Sequence, residues 1–252
     1  MSNAELFSTV ARAYANFRPS YPPGLFEWLA RVSPARDAVW DCGCGSGQAS
    51  VPLAEHFAVV HATDVAPEQI AAARTHARVR YSVAPAEHSG LDAGSVDLVT
   101  VAQALHWFDV TAFYAEAARV ARSGALLAVL NYPRPRFVDV ELDRRFFEFY
   151  SQVVGPFWPP ERRHIEDGYK TLPFPFEEVA APQFGLELRW NLDELAGYAS
   201  SWSATARYRQ ALGTDPVPLL RALIEPAWPA AGGSVPLRMP LGLRVGRLRP
   251  SS

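Results

Sequence analysis

Ala38-Val-Trp-Asp-Cys-Gly-Cys-Gly-Ser-Gly-Gln48 is the stretch that decides the fold. A short apolar run ends in an acid, Asp41, and Gly43, Gly45 and Gly47 follow at alternate positions before a helical pattern begins. Glycine has no Cβ, so such a loop turns sharply and lets a ligand approach the main chain. The pattern predicts a strand, a cofactor loop and a helix. A dinucleotide loop needs G-x-G-x-x-G; here the third glycine comes one residue early and Gln48 stands in its place. Asp41 ahead of the glycines suits a ligand carrying positive charge and repels a pyrophosphate. No Gly-Lys-Ser/Thr follows, which excludes a P-loop.

Outward from this loop the apolar runs alternate with helical patterns. Strands are expected at Ala38–Asp41, Val59–Thr63, Val79–Val83, Val96–Ala102 and Ala125–Asn131, with helices at 47–57, 67–77 and 109–121. The last of these helices is capped by Asp109 and ended by Gly124. Apolar runs of this kind read as strands buried on both faces, in βαβ units of an open, doubly wound sheet. Ligands of such sheets bind beyond the carboxyl ends of the strands. After Tyr132 the rhythm changes. Residues 134–154 read as helix, and 155–182 are dense in proline and aromatic residues, which we read as a cap. A sixth strand at 186–190, helices at 192–212 and 218–227 and a last strand at 235–248 complete the expectation.

The chain has 252 residues, 49% hydrophobic and 20% charged, enough for one sizeable core. A formal net charge of −2 argues against a broad nucleic-acid surface. Lys170 is the only lysine, so nearly all positive charge is arginine. The two cysteines, Cys42 and Cys44, are too close in sequence for an unstrained disulfide and lack companions for a metal site, so no metal is expected. Free thiols fit a cytoplasmic location. No apolar run is long enough to span a membrane.

Asp41-Cys-Gly-Cys-Gly-Ser-Gly47 resembles the first motif of class I S-adenosylmethionine-dependent methyltransferases. The likeness extends to Asp64 at the end of the second strand, to Ala84-Pro-Ala-Glu-His88 after the third and to Ala102-Gln-Ala-Leu-His-Trp-Phe-Asp109 after the fourth. Together with Tyr14, Phe17-Arg-Pro-Ser-Tyr-Pro22, Tyr198, Ser201-Trp-Ser203 and Tyr208, the chain resembles the trans-aconitate methyltransferase-like group. The resemblance implies an α/β, Rossmann-like, doubly wound, mostly parallel seven-stranded sheet with an inserted helical and aromatic cap. It implies one domain over residues 1–252: an arm or lid at 5–36, a cofactor core at 37–132, the cap at 133–184 and sheet-completing elements at 185–252.

It also implies S-adenosylmethionine as cofactor, held by Tyr14, Arg18, Tyr21, Asp41, Gly43, Gly45, Gly47, Asp64, Val65, Ala86, Glu87, Gln103 and Ala104, with His106 and Trp107 at the reacting methyl. The implied partner is a small-molecule acceptor, with a carboxylate as a candidate for O-methylation and no nucleic acid or membrane involved. A carboxylate would call for an arginine clamp, for which Arg18, Arg134, Arg136, Arg162, Arg163 and Arg207 are candidates. One departure is Pro85, where many class I enzymes carry an acid beside the adenine. Two alternatives stay open: an NAD-dependent oxidoreductase and a binding protein without catalysis.

Overall fold

The computed structural model describes residues 18–229 and 232–249. Tyr14 and the preceding part of the arm lie outside the described residues. The chain falls into two compact units. Among the described residues, one gathers Ser20–Pro133, Arg163–Phe184 and the chain from Leu241 onward; the other gathers Arg18 and Pro19, Arg134–Arg162 and Gly185–Pro240.

The first unit is built on strands β1 (Ala38–Cys42), β2 (Val59–Asp64), β3 (Val79–Val83), β4 (Val96–Ala102) and β5 (Ala121–Asn131). Their order is β3-β2-β1-β4-β5, and each neighbouring pair is parallel. β1 is buried along its whole length and β4 at all but its last residue, as expected of central strands, whereas the edge strand β3 is half open. The closing half of β9 (Val235–Arg247) pairs antiparallel with β5, from Gly242 opposite Asn131 to Arg247 opposite Leu126. β7 (Glu177–Glu178) adds a short antiparallel pairing to β9. The order of the strands reverses between β1 and β4, so their carboxyl ends flank a crevice, the usual ligand position of an open parallel sheet.

The helices of this unit are α1 (Pro23–Val32), α2 (Ser50–Ala54), α3 (Pro67–Ala71), α4 (Val110–Val120) and, after the second unit's helix α5 (Val140–Glu148), α6 (Arg163–Glu166). α2 is shorter than the sequence pattern predicts. Gly47 sits at φ 87°, outside the helical region, and the chain tightens after Pro52 into i→i−3 bonds at Glu55 and His56. α3 also stops early, because Arg74 N–H donates back to the Ser46 carbonyl at 3.2 Å. β5 begins earlier than expected: Ala121 already pairs with Val96, a register shift follows, and Gly124 at φ 79° lies within the strand instead of ending a helix.

The second unit holds β6 (Arg136–Phe137), α5, β8 (Phe184–Trp190), α7 (Leu192–Ser200), α8 (Ser203–Leu212) and α9 (Val217–Ile224). β6 pairs antiparallel with the opening half of β9, Arg136 opposite Arg238 and Phe137 opposite Leu237, and β8 also pairs with β9; among the described residues the strands number nine, against the seven expected. The expected helix over 192–212 is two, parted at Ser201-Trp202. Asn191 opens the first with a capping box to Glu194, and Gly213 at φ 69° closes the second. Trp202 is buried among Phe146, Phe149, Tyr150, Trp158 and Tyr198.

Candidate active site

The glycine loop leaves β1 at Cys42. Gly43, Gly45 and Gly47 take φ values of 67°, 55° and 87°, a left-handed conformation that strains other residues. At two of the three, space also forbids a side chain. A Cβ on Gly43 would stand 2.6 Å from the Ala104 Cβ and 3.1 Å from the Phe108 ring, and one on Gly47 would overlap the Tyr81 hydroxyl. The loop leaving β1 and the loop leaving β4 are therefore in direct contact.

Two acids hold the loop, and they do different things. Asp41 is fully buried; its carboxylate accepts from Ser50 Oγ at 2.6 Å and Thr100 Oγ1 at 2.9 Å. It braces α2 and β4 to the end of β1. Burial pushes its pKa up to about 6, against the opposing effect of the two hydroxyls, and the charge of Asp64 adds to the rise. Asp64 closes β2. It accepts from Gly45 N–H at 2.8 Å and from Ala66 N–H at 2.9 Å, so the acid, the middle glycine and the start of α3 form one unit. Burial raises its pKa against those backbone bonds. With Val65 N–H as a third backbone donor, the carboxylate still keeps lone-pair capacity beyond these bonds. Val65, next to it, exposes a bare apolar side chain.

The field at this loop is negative. The Cys42 and Cys44 thiols are raised well above their ordinary value, by burial first and then by Asp41 and Asp64, with Glu87 contributing at Cys42. Among the described residues no set of three or more His, Cys, Asp or Glu could hold a metal. Ala86 is buried and Glu87 is half-buried, its carboxylate accepting from Asp109 N–H at 2.9 Å. That bond ties the loop after β3 to the helix-capping residue after β4, where Asp109 in turn accepts from Thr111 and Ala112 N–H.

The loop after β4 carries Gln103, Ala104, His106 and Trp107. Gln103 has φ 60°, and its N–H donates to the Leu130 carbonyl at 2.9 Å. Its Nε2 donates to the Tyr132 carbonyl at 3.0 Å, while its Oε1 is shielded from solvent and accepts no hydrogen bond from the described residues. A buried acceptor left so costs about 1–3 kcal/mol. His106 Nδ1 lies 2.9 Å from the Tyr169 hydroxyl, with the two rings stacked and Trp107 packed 4.5 Å from His106 between ring centroids.

Tyr169 is the functional candidate that sequence reasoning missed. It is buried and sits at φ 61°; Gln103 is the other non-glycine residue with positive φ among the described residues. Its carbonyl is gripped by Arg244 at 3.0 Å. Asn131, at the end of β5, donates to the Ile165 carbonyl at 2.8 Å and fixes the same segment to the sheet. Nothing local in Asp167-Gly168-Tyr169 marks a partner 63 residues away, although Asp-Gly does mark a turn. Ser50 and Thr100 were also missed; the lone hydroxyl of Thr100 inside the apolar run of β4 was the available signal.

The arm residues divide between the units. Tyr21 belongs with the sheet, buried against Phe26 and Tyr132 at 6.0 Å between ring centroids in each case. Arg18 belongs with the helical unit, its guanidinium 5.3 Å from the Tyr198 ring centroid and donating to the Ser201 carbonyl. Of the arginines expected as a clamp, Arg134 is buried and doubly bonded to Asp143 at 2.8 and 2.9 Å, and Arg136 reaches the same carboxylate at 3.7 Å. Arg162 lies over the Trp158 ring, and Arg163 is exposed at the start of α6.

Comparison with known proteins agrees with this geometry. Residues 40–129 match the family described as "Methyltransferase domain". A methyltransferase from Dictyostelium discoideum is 32% identical over 230 residues, covering 90% of this chain and 88% of that protein. A solved structure from Anaeromyxobacter dehalogenans, described as a type II methyltransferase, is 46% identical; it superposes with a TM-score of 0.84 over 93% of this chain and 100% of that one. A ubiquinone biosynthesis O-methyltransferase from Xanthomonas axonopodis is 38% identical over 119 residues, 43% of this chain and 50% of that protein.

Proposed function

Since the chain belongs to the class I S-adenosylmethionine-dependent methyltransferases, we infer that it binds S-adenosylmethionine at the β1–β4 crevice and methylates a small molecule there. Membership in this enzyme family sets aside the oxidoreductase alternative. The observation that carries the reading is the glycine loop locked to Asp64 in a field set by Asp41, Asp64 and Glu87. That field fits a ligand bearing a sulfonium and an ammonium and opposes a pyrophosphate.

When bound, S-adenosylmethionine supplies an already activated methyl group. The residues of this chain then bind, align and exclude water. The loop Gly43–Gly47 receives the methionine end against backbone, Asp64 offers its remaining lone pairs to ribose hydroxyls, Val65 presents an apolar face to the base, and Ala86 and Glu87 close the adenine side. Alignment alone is worth about 7–11 kcal/mol in well-oriented systems, so a displacement of this kind needs little else. His106, its Nδ1 engaged by Tyr169, is the candidate to take a proton from an alcohol, phenol or amine acceptor. The Xanthomonas relative, an O-methyltransferase, supports oxygen as the accepting atom. A carboxylate acceptor loses support from Arg134, whose charge is already taken by Asp143.

Isothermal titration with S-adenosylmethionine tests the reading. One saturable site per chain is expected, and absence of binding at millimolar cofactor would sink it. Asp64→Ala should weaken the affinity at least about tenfold, the loss of a charge-assisted hydrogen bond or more. Unchanged affinity would remove Asp64 from the cofactor site.

A further inference from the structure

The resemblance to class I enzymes counts Gln103 among the cofactor residues, but two of its features point elsewhere. Its backbone is held at φ 60°, and its side-chain Oε1 is shielded yet accepts no hydrogen bond from the described residues. The orientation of the amide is fixed by chemistry. The group 3.0 Å away is the Tyr132 carbonyl, which only accepts, so the nitrogen must face it and the orphaned end must be the oxygen. Strained backbone and unmet buried polarity persist where a ligand completes them.

The sheet order says which ligand. The glycine loop and Asp64 stand at the ends of β1 and β2, while Gln103 follows β4 and its side chain turns the other way, to the residue just past β5. On that side Tyr132 packs against Tyr21, and β5 ends in Asn131, which holds the Tyr169 segment. We propose that Gln103 Oε1 reads the methyl acceptor, not the cofactor, by accepting a hydrogen bond from a neutral O–H or N–H group of that molecule. The acceptor is then a protic compound such as a phenol, an alcohol or an amine-bearing molecule. A carboxylate at neutral pH offers only lone pairs and would meet Oε1 lone pair to lone pair. This selectivity rests on the methyltransferase reading above.

The test uses the full chain, 15N-labelled and saturated with S-adenosylhomocysteine. The Gln103 side-chain amide signal is assigned by its loss in Gln103→Leu. Phenol, anisole and benzoate are titrated separately; the first two share a ring and differ in the protic hydrogen. Phenol should shift the Gln103 signal, and Gln103→Leu should bind phenol about fivefold more weakly, the size of one neutral hydrogen bond. Affinity for S-adenosylhomocysteine, measured by calorimetry on the same variant, should fall by less than the affinity for phenol. Where leucine at a positive φ prevents folding, Gln103→Asn serves, since asparagine tolerates that conformation and is too short to reach. An equal response to anisole or benzoate, or no response to phenol, overturns the proposal. So does a loss of S-adenosylhomocysteine affinity matching the loss for phenol, which would put Oε1 on the cofactor. Wild-type protein that binds no S-adenosylhomocysteine strikes the methyltransferase reading instead.

Discussion

Asp41→Asn should change how the stability of this protein depends on pH. Asp41 is fully buried, and that burial pushes its pKa from the ordinary 3.8 up to about 6. Between those values the folded state holds a proton that the unfolded chain has released, so stability falls as pH rises through the window and the penalty is complete above it. A shift of about two units corresponds to about 3 kcal/mol at pH 7. Asparagine carries no charge, yet it can still pair with Ser50 or Thr100, so it loses about 1 kcal/mol of hydrogen bonding and escapes the larger penalty. The variant should be slightly weaker than wild type near pH 4 and stronger by about 2 kcal/mol near pH 7.5. Urea unfolding at a series of pH values for both proteins measures this; taking their difference cancels the other titrating groups. A difference that is flat across the series would refute the assignment of a raised pKa to Asp41. The same linkage reaches the cofactor. A cationic ligand favours the ionised carboxylate, so wild-type affinity for S-adenosylmethionine should rise with pH through this window and that of Asp41→Asn should not.

Gly47→Ala should cost about 1–2 kcal/mol for the left-handed backbone and about 1 kcal/mol more as Tyr81 gives up its 2.8 Å bond to the Arg74 carbonyl. Adding Tyr81→Phe should recover part of that in chemical denaturation, and strict additivity would count against the clash. Arg134→Met should destabilise by about 3 kcal/mol, because it strips a bidentate partner from Asp143. Burial pushes the Asp143 pKa up, but the bonds from Arg134 and Phe137 N–H outweigh it and hold it low. This contribution is full above the ordinary carboxylate value and is lost as pH falls, so wild type and variant should converge in acid. Tyr169→Phe removes the hydroxyl at His106 Nδ1, and 15N spectra of the imidazole should show a changed tautomer balance at neutral pH. An unchanged spectrum would mean that Tyr169 does not set the His106 proton.

The five parallel strands and the cofactor loop were legible from residues 38 to 131 because their signals are local. Strands buried on both faces must be apolar throughout, and a loop forced to positive φ three times must place glycine at those positions. The order of the strands, and with it the crevice between β1 and β4, follows from pairing that no single strand encodes. Asp41 shows the limit most clearly. One acid before the glycines reads equally as a partner for a cation or as a brace; Ser50 and Thr100 take its oxygens, and only folding brings those hydroxyls to it. The segment 163–184 reads as part of a cap from its proline and aromatic content, yet it clusters with the sheet through Asn131 and His106. The glycine loop was therefore written in the chain as a contiguous motif, since backbone geometry must be specified where it occurs. The groups proposed to face the acceptor, Gln103 Oε1 and the His106–Tyr169 pair, come from separate loops, and tertiary packing alone decides which of their atoms pair with one another.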